Sequence, residues 1–385
     1  MSESFPRRKF LTLGGRVAAA GLIGALTLNG GRVALSSSAK HATHANHLGR
    51  PLRIGYLPIT DAAALLIGHE NGYFAAAGTP SDRPVMFRTW ESLAHALLLG
   101  KIDVAHLLMP LAIQMRIARH APIRVVAWGH THGSALTVRP DITNVRDLAG
   151  HTLAVPQWWS IHNVLLQQLL THAGLSAALP GTNTGNVHLV VMPPAEMVSA
   201  LAAKKISGFV VAEPFPTVAA STGIGHTLRY LGDLWQNHAC CGIVVRDELL
   251  TNHPQAVAGI VRAIIHSQDS LTADLPTAAT HLIHGAYLPQ AGHALTHALT
   301  RSTSDATITQ HADWHGERIG FAAYPRPSYT ARLSELLRST RIDGDTTFLT
   351  SLDHVHEKLV EPRFVEAELR RLGRPVSNSI EEIAP

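Results

Sequence analysis

The chain has 385 residues, 46% of them hydrophobic and 16% charged, with a formal net charge of +4. That is enough apolar material to bury two sizeable cores, and it excludes a largely disordered chain. Within residues 1–39, Arg7, Arg8, Lys9, Arg16 and Arg32 stand against Glu3 alone, so this stretch carries the whole +4 and the remainder is neutral. A neutral body gives no support to a nucleic-acid or membrane-surface partner.

The first residues read as an address rather than as fold. Arg7-Arg8-Lys9-Phe10-Leu11 precedes an apolar run over 17–28 and small residues through 34–39, the basic, hydrophobic and cleavage regions of an export signal. Adjacent arginines ahead of Phe10-Leu11 resemble a twin-arginine signal, used for export in the folded state. No Cys lies near the cleavage region, and Arg16 interrupts a run too short to anchor the chain in a bilayer. No later segment is long and apolar enough to span one. Residues 40–50 read as a tether.

The stretch from Arg53 to Phe74 organises the rest of the chain. It reads as a short buried strand over 53–57, a turn through Pro58, and a helix capped by Thr60 or Asp61 that ends at Asn71-Gly72. Strands are then expected at 84–88, 102–106 and 125–128, with helices at 91–99 and 110–119 between them. The pattern restarts with strands at 132–138 and 152–156, a helix from about 160 to Gly174, strands at 187–192 and 208–212, and a helix at 194–204. A strand at 240–245 leads into a helix at 254–271, and the remainder is helical with a break at 324–329. Short apolar runs alternating with helical patterns argue for α/β architecture with a parallel sheet covered on both faces. Two such units with a return strand imply two lobes, the second inserted into the first: 51–137 and 240–385 for one, 138–239 for the other. The crossings are expected near Ser134 to Arg139 and near Ala239 to Arg246.

Chemistry-bearing residues are sparse in pattern. Adjacent Cys240 and Cys241 rarely form an unstrained disulfide and read as small buried hydrophobes. The 25 histidines are scattered, with no His-Glu-x-x-His spacing and no paired cysteine sets, so no metal site is read from them.

Several motifs in order resemble a known family. These are Ile54-Gly55-Tyr56-Leu57-Pro58-Ile59-Thr60-Asp61 with Glu70-Asn71-Gly72-Tyr73-Phe74, Trp90 before Leu99-Gly100-Lys101-Ile102-Asp103, and Gly133-Ser134-Ala135. They continue with Ser160-Ile161-His162-Asn163, Pro193-Pro194-Ala195-Glu196 and Glu213-Pro214-Phe215. From about residue 52 to 270 the chain is similar to the periplasmic substrate-binding proteins of nitrate/sulfonate/taurine/bicarbonate-type ABC importers. The Ile59-Thr60-Asp61 turn and the His162-Asn163 pair look most like the nitrate/bicarbonate branch. The resemblance implies a two-lobe periplasmic-binding-protein-like (type II) fold that is not an enzyme. It implies a small-molecule ligand, an ABC permease partner in the membrane, no nucleic acid and a monomer. No cofactor is implied, with calcium entering only for a bicarbonate-like ligand.

The resemblance brings Ile59 and Thr60 to the ligand from the first lobe, with Trp90 beside them. Lobe core is an equal reading for Trp90. Ser134 stands where a Gln is expected and shortens one contact. His162, opening a helix, joins an imidazole to a helix N-terminus for holding an oxyanion, and Trp159 adds aromatic area. Glu213 reads equally as a cleft residue or as a structural acceptor of hinge amides. One departure from the family pattern is the lack of any Lys between Lys101 and Lys204 or between Lys205 and Lys358, where a nitrate receptor would set a cation. With Trp90, Trp128, Trp158, Trp159 and Trp235 near motif positions, an aromatic cleft for a planar organic ligand, such as a thiamine pyrimidine precursor, is the alternative. A pyrimidine-synthase-like enzyme of the same fold is the third reading, and both the export signal and the presence of only two cysteines count against it.

Overall fold

The computed structural model describes residues 46–182, 184–290, 292–300 and 317–376, which fall within the compact unit His44–Pro385. The expected export signal and the first part of the tether lie outside the described residues. Among the described residues no helix is long and apolar enough to cross a membrane.

The strands, in chain order, are β1 (Ile54–Tyr56), β2 (Val85–Met86), β3 (Val104–Leu108), β4 (Ile123–Trp128), β5 (Thr131–His132), β6 (Ser134–Val138) and β7 (Thr152–Val155). They continue as β8 (Ala177–Ala178), β9 (Val187–Val191), β10 (Gly208–Ala212), β11 (His226–Tyr230), β12 (Cys241–Arg246) and β13 (Ile319–Gly320). The first sheet has the order β2-β1-β3-β12-β4, parallel from β2 to β3 and antiparallel on both sides of β12. The second has the order β11-β6-β10-β7-β9-β8, with β6 antiparallel to both neighbours and the rest parallel. Central strands such as β3, β6 and β10 are buried along their whole length. This explains why they read as continuous apolar runs rather than alternating ones.

The chain leaves the first sheet after β4, builds the second, and returns through β12. Both crossings come earlier than expected. Ser134–Val138 belongs wholly to the second sheet and Cys241–Arg246 wholly to the first, so the chain crosses at 129–133 and at 235–240. The bend is made by His132 (φ 61°) and Gly133 (φ 90°). A Cβ on Gly133 would stand 2.7 Å from Asp61 Oδ1, so both backbone angle and space demand glycine. Across the junction Thr131 bridges Ala239, the His132 amide donates to the His238 carbonyl (3.0 Å), and the Gly133 amide donates to the Arg318 carbonyl (2.7 Å).

Helix Pro254–Ala273 lays Val257, Ile260, Val261 and Ile264 on Ile54, Val104, Val126, Ile243 and Val245 of the first sheet. Each such side chain contributes about 1.5–3 kcal/mol when fully buried. The cap expected at Thr60 or Asp61 is absent: residue Ile59 precedes the turn Thr60–Ala62, and no side chain caps it. The Asp61 carboxylate is directed to His130 instead. At the start of the first sheet, Asp103 is 1% exposed and takes paired bonds from Arg50 (2.7 and 2.8 Å) and Arg53 (3.2 and 2.8 Å). Burial works against its ionisation, yet the two guanidiniums hold the carboxyl well below the usual range.

A depressed carboxylate stabilises the fold above its unfolded pKa of about 3.9 and loses that contribution as pH falls. Asp103→Asn should therefore cost about 2 kcal/mol at neutral pH, discounted because both arginines are partly exposed, and less in acid. Denaturant unfolding at both pH values checks this, and equal losses would contradict it.

Candidate ligand-binding site

The turn after β1 meets the end of β10 where the two halves touch. Ile59 is 1% exposed and extended. The Thr60 amide and hydroxyl both donate to the Glu213 carbonyl, at 2.9 and 3.2 Å. The Glu213 amide in turn donates to the Gly133 carbonyl (2.9 Å). Its carboxylate accepts from the Thr217 amide (3.0 Å) and pairs with Arg318. Thr60 and Glu213, two of the expected ligand contacts, thus satisfy each other and the helix after β10. Of the two roles open to Glu213, these bonds match the structural one.

Trp90, Ser134 and His162 differ from that pair. Trp90 opens helix Trp90–Leu98 behind the Thr89 cap, is 1% exposed, and its Nε1 has no hydrogen-bond partner among the described residues. Ser134 begins β6 and places Oγ 2.9 Å from His162 Nε2. His162 sits in the first turn of Ile161–His172, a helix started by Ser160 Oγ accepting from the Asn163 amide (3.1 Å). Its Nδ1 is buried with no partner. Burial pulls the imidazole down to about 3, so it is neutral at physiological pH. When Ser134 donates to Nε2, the proton resides on Nδ1, which becomes a donor.

Sequence reasoning missed the groups around them. His106 on β3 is fully buried with neither nitrogen bonded, and burial then neighbouring His130 push it well below the ordinary histidine range. His130 lies 3.0 Å from Asp61, whose charge outweighs burial and raises the imidazole to about 10. The rings form two pairs, with centroids 5.6 Å apart for His106–His130 and 5.7 Å for His132–His238. Nothing in the spacing of these histidines marks them. Their one sequence signal is an imidazole inside or beside an apolar strand.

Trp128 and Trp235 lie in the core, and their Nε1 atoms, like that of Trp90, have no hydrogen-bond partner among the described residues. Both pack on Tyr329, with centroids 5.0 and 4.9 Å away, and all three are fully buried. Trp159 packs against Phe348 (5.2 Å). With Trp158 it borders a groove of about 840 Å³ between the halves, whose opposite wall includes Ala94, Leu111 and Met115. Gln157 bridges the groove by donating to Glu91 at 2.7 Å.

A family model described as the NMT1-like family matches residues 47–283, more than half of the chain. The chain belongs to the NMT1-like family. This NMT1-like chain is 26% identical over 294 residues to the nitrate/nitrite binding protein NrtA of Nostoc sp. strain PCC 7120, covering 68% of itself and 66% of that relative. It is 27% identical over 234 residues to the bicarbonate transport ATP-binding protein CmpC of Synechocystis sp. strain PCC 6803, covering 56% of itself and 34% of that relative. It therefore spans between about a third and about two thirds of these curated relatives. The periplasmic nitrate-binding protein NrtA from Synechocystis PCC 6803 matches in structure with a TM-score of 0.72, over 86% of this chain and 93% of its own, at 19% identity. Fold and family agree with what the motifs resemble: the NMT1-like chain has the periplasmic-binding-protein fold.

A histidine whose folded pKa is lowered stabilises the protein above its unfolded value of about 6.5 and loses that contribution as pH falls toward the folded value. His162 should therefore steepen acid destabilisation between about pH 6.5 and pH 3, by up to about 1.4 kcal/mol per pH unit. His162→Asn should flatten that slope, and the His162 ring signals should not titrate above pH 5 by NMR. An apparent pKa near 6.5 for His162 would contradict the burial argument.

Proposed function

We propose that this chain is the exported solute-binding receptor of an ABC importer, capturing a small anion of nitrate, bicarbonate or sulfonate type between its halves. The observation that carries this reading is that buried ring nitrogens lack a hydrogen-bond partner among the described residues, Trp90 Nε1, His162 Nδ1 and the one N–H of a neutral His106 among them. Native interiors leave few such groups unpaired, and an oxyanion offers the acceptors that the protein does not. Neutral donors also suit the stretch without lysine, because aimed N–H dipoles in a dry site stabilise charge strongly. Similarity to nitrate-binding and bicarbonate-transport proteins supports the same class of ligand. The receptor breaks no bond. Closure of the halves presents a surface that a membrane permease distinguishes from the open form.

A second reading, a planar organic ligand in the same fold, draws on the groove beside Trp158 and Trp159, whose volume of about 840 Å³ far exceeds a nitrate ion. Thermal unfolding with nitrate, nitrite, bicarbonate plus calcium, taurine, alkanesulfonates and pyrimidines separates the two. The true ligand at a hundredfold excess over Kd should add about 2.7 kcal/mol, and His162→Ala and Trp90→Ala should each abolish the gain. A shift with a heterocycle alone would move the assignment to the second reading. Retained affinity in both variants would refute the site.

A further inference from the structure

Beneath the turn after β1, where the two crossings meet, lies a cluster that the receptor reading does not use. Asp61, His130, Cys240 and Cys241 each offer one ligand atom, and these atoms all lie within 4.8 Å of one another. All four residues are fully buried at 0% exposure. The cysteines are free thiols whose sulfurs are 3.7 Å apart. Asp61 Oδ2 and His130 Nε2 approach to 3.0 Å, yet neither carboxylate oxygen and neither ring nitrogen makes a hydrogen bond of acceptable geometry. A dry Asp61–His130 ion pair whose remaining oxygen and nitrogen have no hydrogen-bond partner among the described residues is a polar pair with donor atoms to spare.

We propose that these four side chains form a closed, four-coordinate zinc site. The donor set is two thiols, one imidazole and one carboxylate, which suits a borderline-soft divalent ion and does not suit calcium or magnesium, which take oxygen ligands. The spacing agrees. A tetrahedral ion with Zn–S bonds of about 2.3 Å sets two sulfurs about 3.8 Å apart, and bonds of about 2.0 Å set nitrogen and oxygen about 3.3 Å apart. Binding releases both thiol protons and the proton held by the Asp61–His130 pair to solvent, so two thiolates and the carboxylate face the dication with a neutral imidazole. Gly133 closes the wall behind the ligands: a Cβ there would come within 2.7 Å of Asp61 Oδ1 and 3.3 Å of His130 Nδ1. All four positions being protein ligands, the site is structural. It ties the turn carrying Asp61 to the first crossing through His130, to the end of the second crossing through Cys240, and to the start of β12 through Cys241.

Zinc binding at this cluster does not depend on the identity of the transported solute. It is tested by metal analysis of the purified full chain after gel filtration, and by loading the chain with Co²⁺ as a spectroscopic probe. The expected result is one zinc per chain and, with cobalt, intense visible d–d bands of a tetrahedral ion together with a thiolate-to-cobalt charge-transfer band. Cys240→Ser, Cys241→Ser and His130→Gln should each weaken zinc binding at least tenfold in competition with a chromophoric chelator. Far-UV circular dichroism identifies any variant that fails to fold, and the wild-type competition titration decides the matter without the variants. Three results would overturn the site: no zinc retained against the chelator, a cobalt spectrum lacking the thiolate band, or a Cys240–Cys241 disulfide by mass spectrometry in protein prepared without oxidant. Failure of every anion to stabilise the protein would leave this result untouched.

Discussion

Backbone pairing between two buried crossing segments is the constraint on which the rest of the molecule depends. Thr131 bridges Ala239, the His132 and His238 backbones bond at 3.0 Å, and the Asn237 amide reaches His132 Nε2. Groups this deep have little water to fall back on, so each must find a partner in the chain. A third segment completes the set, as β13 pairs with β5. There Gly320 packs so closely that a Cβ would sit 2.5 Å from Thr131 Oγ1. Relative rotation of the two halves has to be absorbed by the dihedrals at 129–133 and 235–240. Hinge closure in proteins characteristically concentrates its dihedral change in short connectors of this kind.

The same junction explains why polar chemistry accumulates here. Strand ends from both sheets converge on it, bringing in the Thr60–Glu213 pairing, the Ser134–His162 bond and two pairs of histidine rings. In a low dielectric a hydrogen bond is worth more, and an unmade one costs more, than at the surface. That asymmetry separates the residues into two groups. Thr60 and Arg318 both bond Glu213, which links the turn after β1 to the helix after β10. Trp90, His106 and His162 keep nitrogens without a hydrogen-bond partner among the described residues, as Trp128 and Trp235 do.

Aromatic residues divide in a similar way. Trp128 and Trp235 sandwich Tyr329, whose hydroxyl donates to the Ala239 carbonyl at 2.5 Å. The helix Pro327–Ser339 is thereby anchored to the second crossing. Their area contributes to core cohesion, while Trp158 and Trp159 remain at the groove between the halves.

The order of strands and helices, the return strand and the family resemblance were legible from the residues because local periodicity and turn chemistry are short-range properties. Val104–Leu108 and Gly208–Ala212 are apolar throughout their length apart from His106, and Gly72 ends its helix with φ 71°. Ser160 and Asn163 likewise announce a helix start by spacing alone. The place where the chain changes sheets was not legible, since Ser134–Val138 reads as a strand whichever sheet it joins. Nor was the fate of Thr60 and Glu213, whose roles depend on a partner lying 153 residues away in sequence. Asp61, His130, Cys240 and Cys241 come from three separate stretches with no common spacing. Short-range pattern determines which elements form. Only the meeting of distant strand ends decides which buried polar groups satisfy one another and which do not.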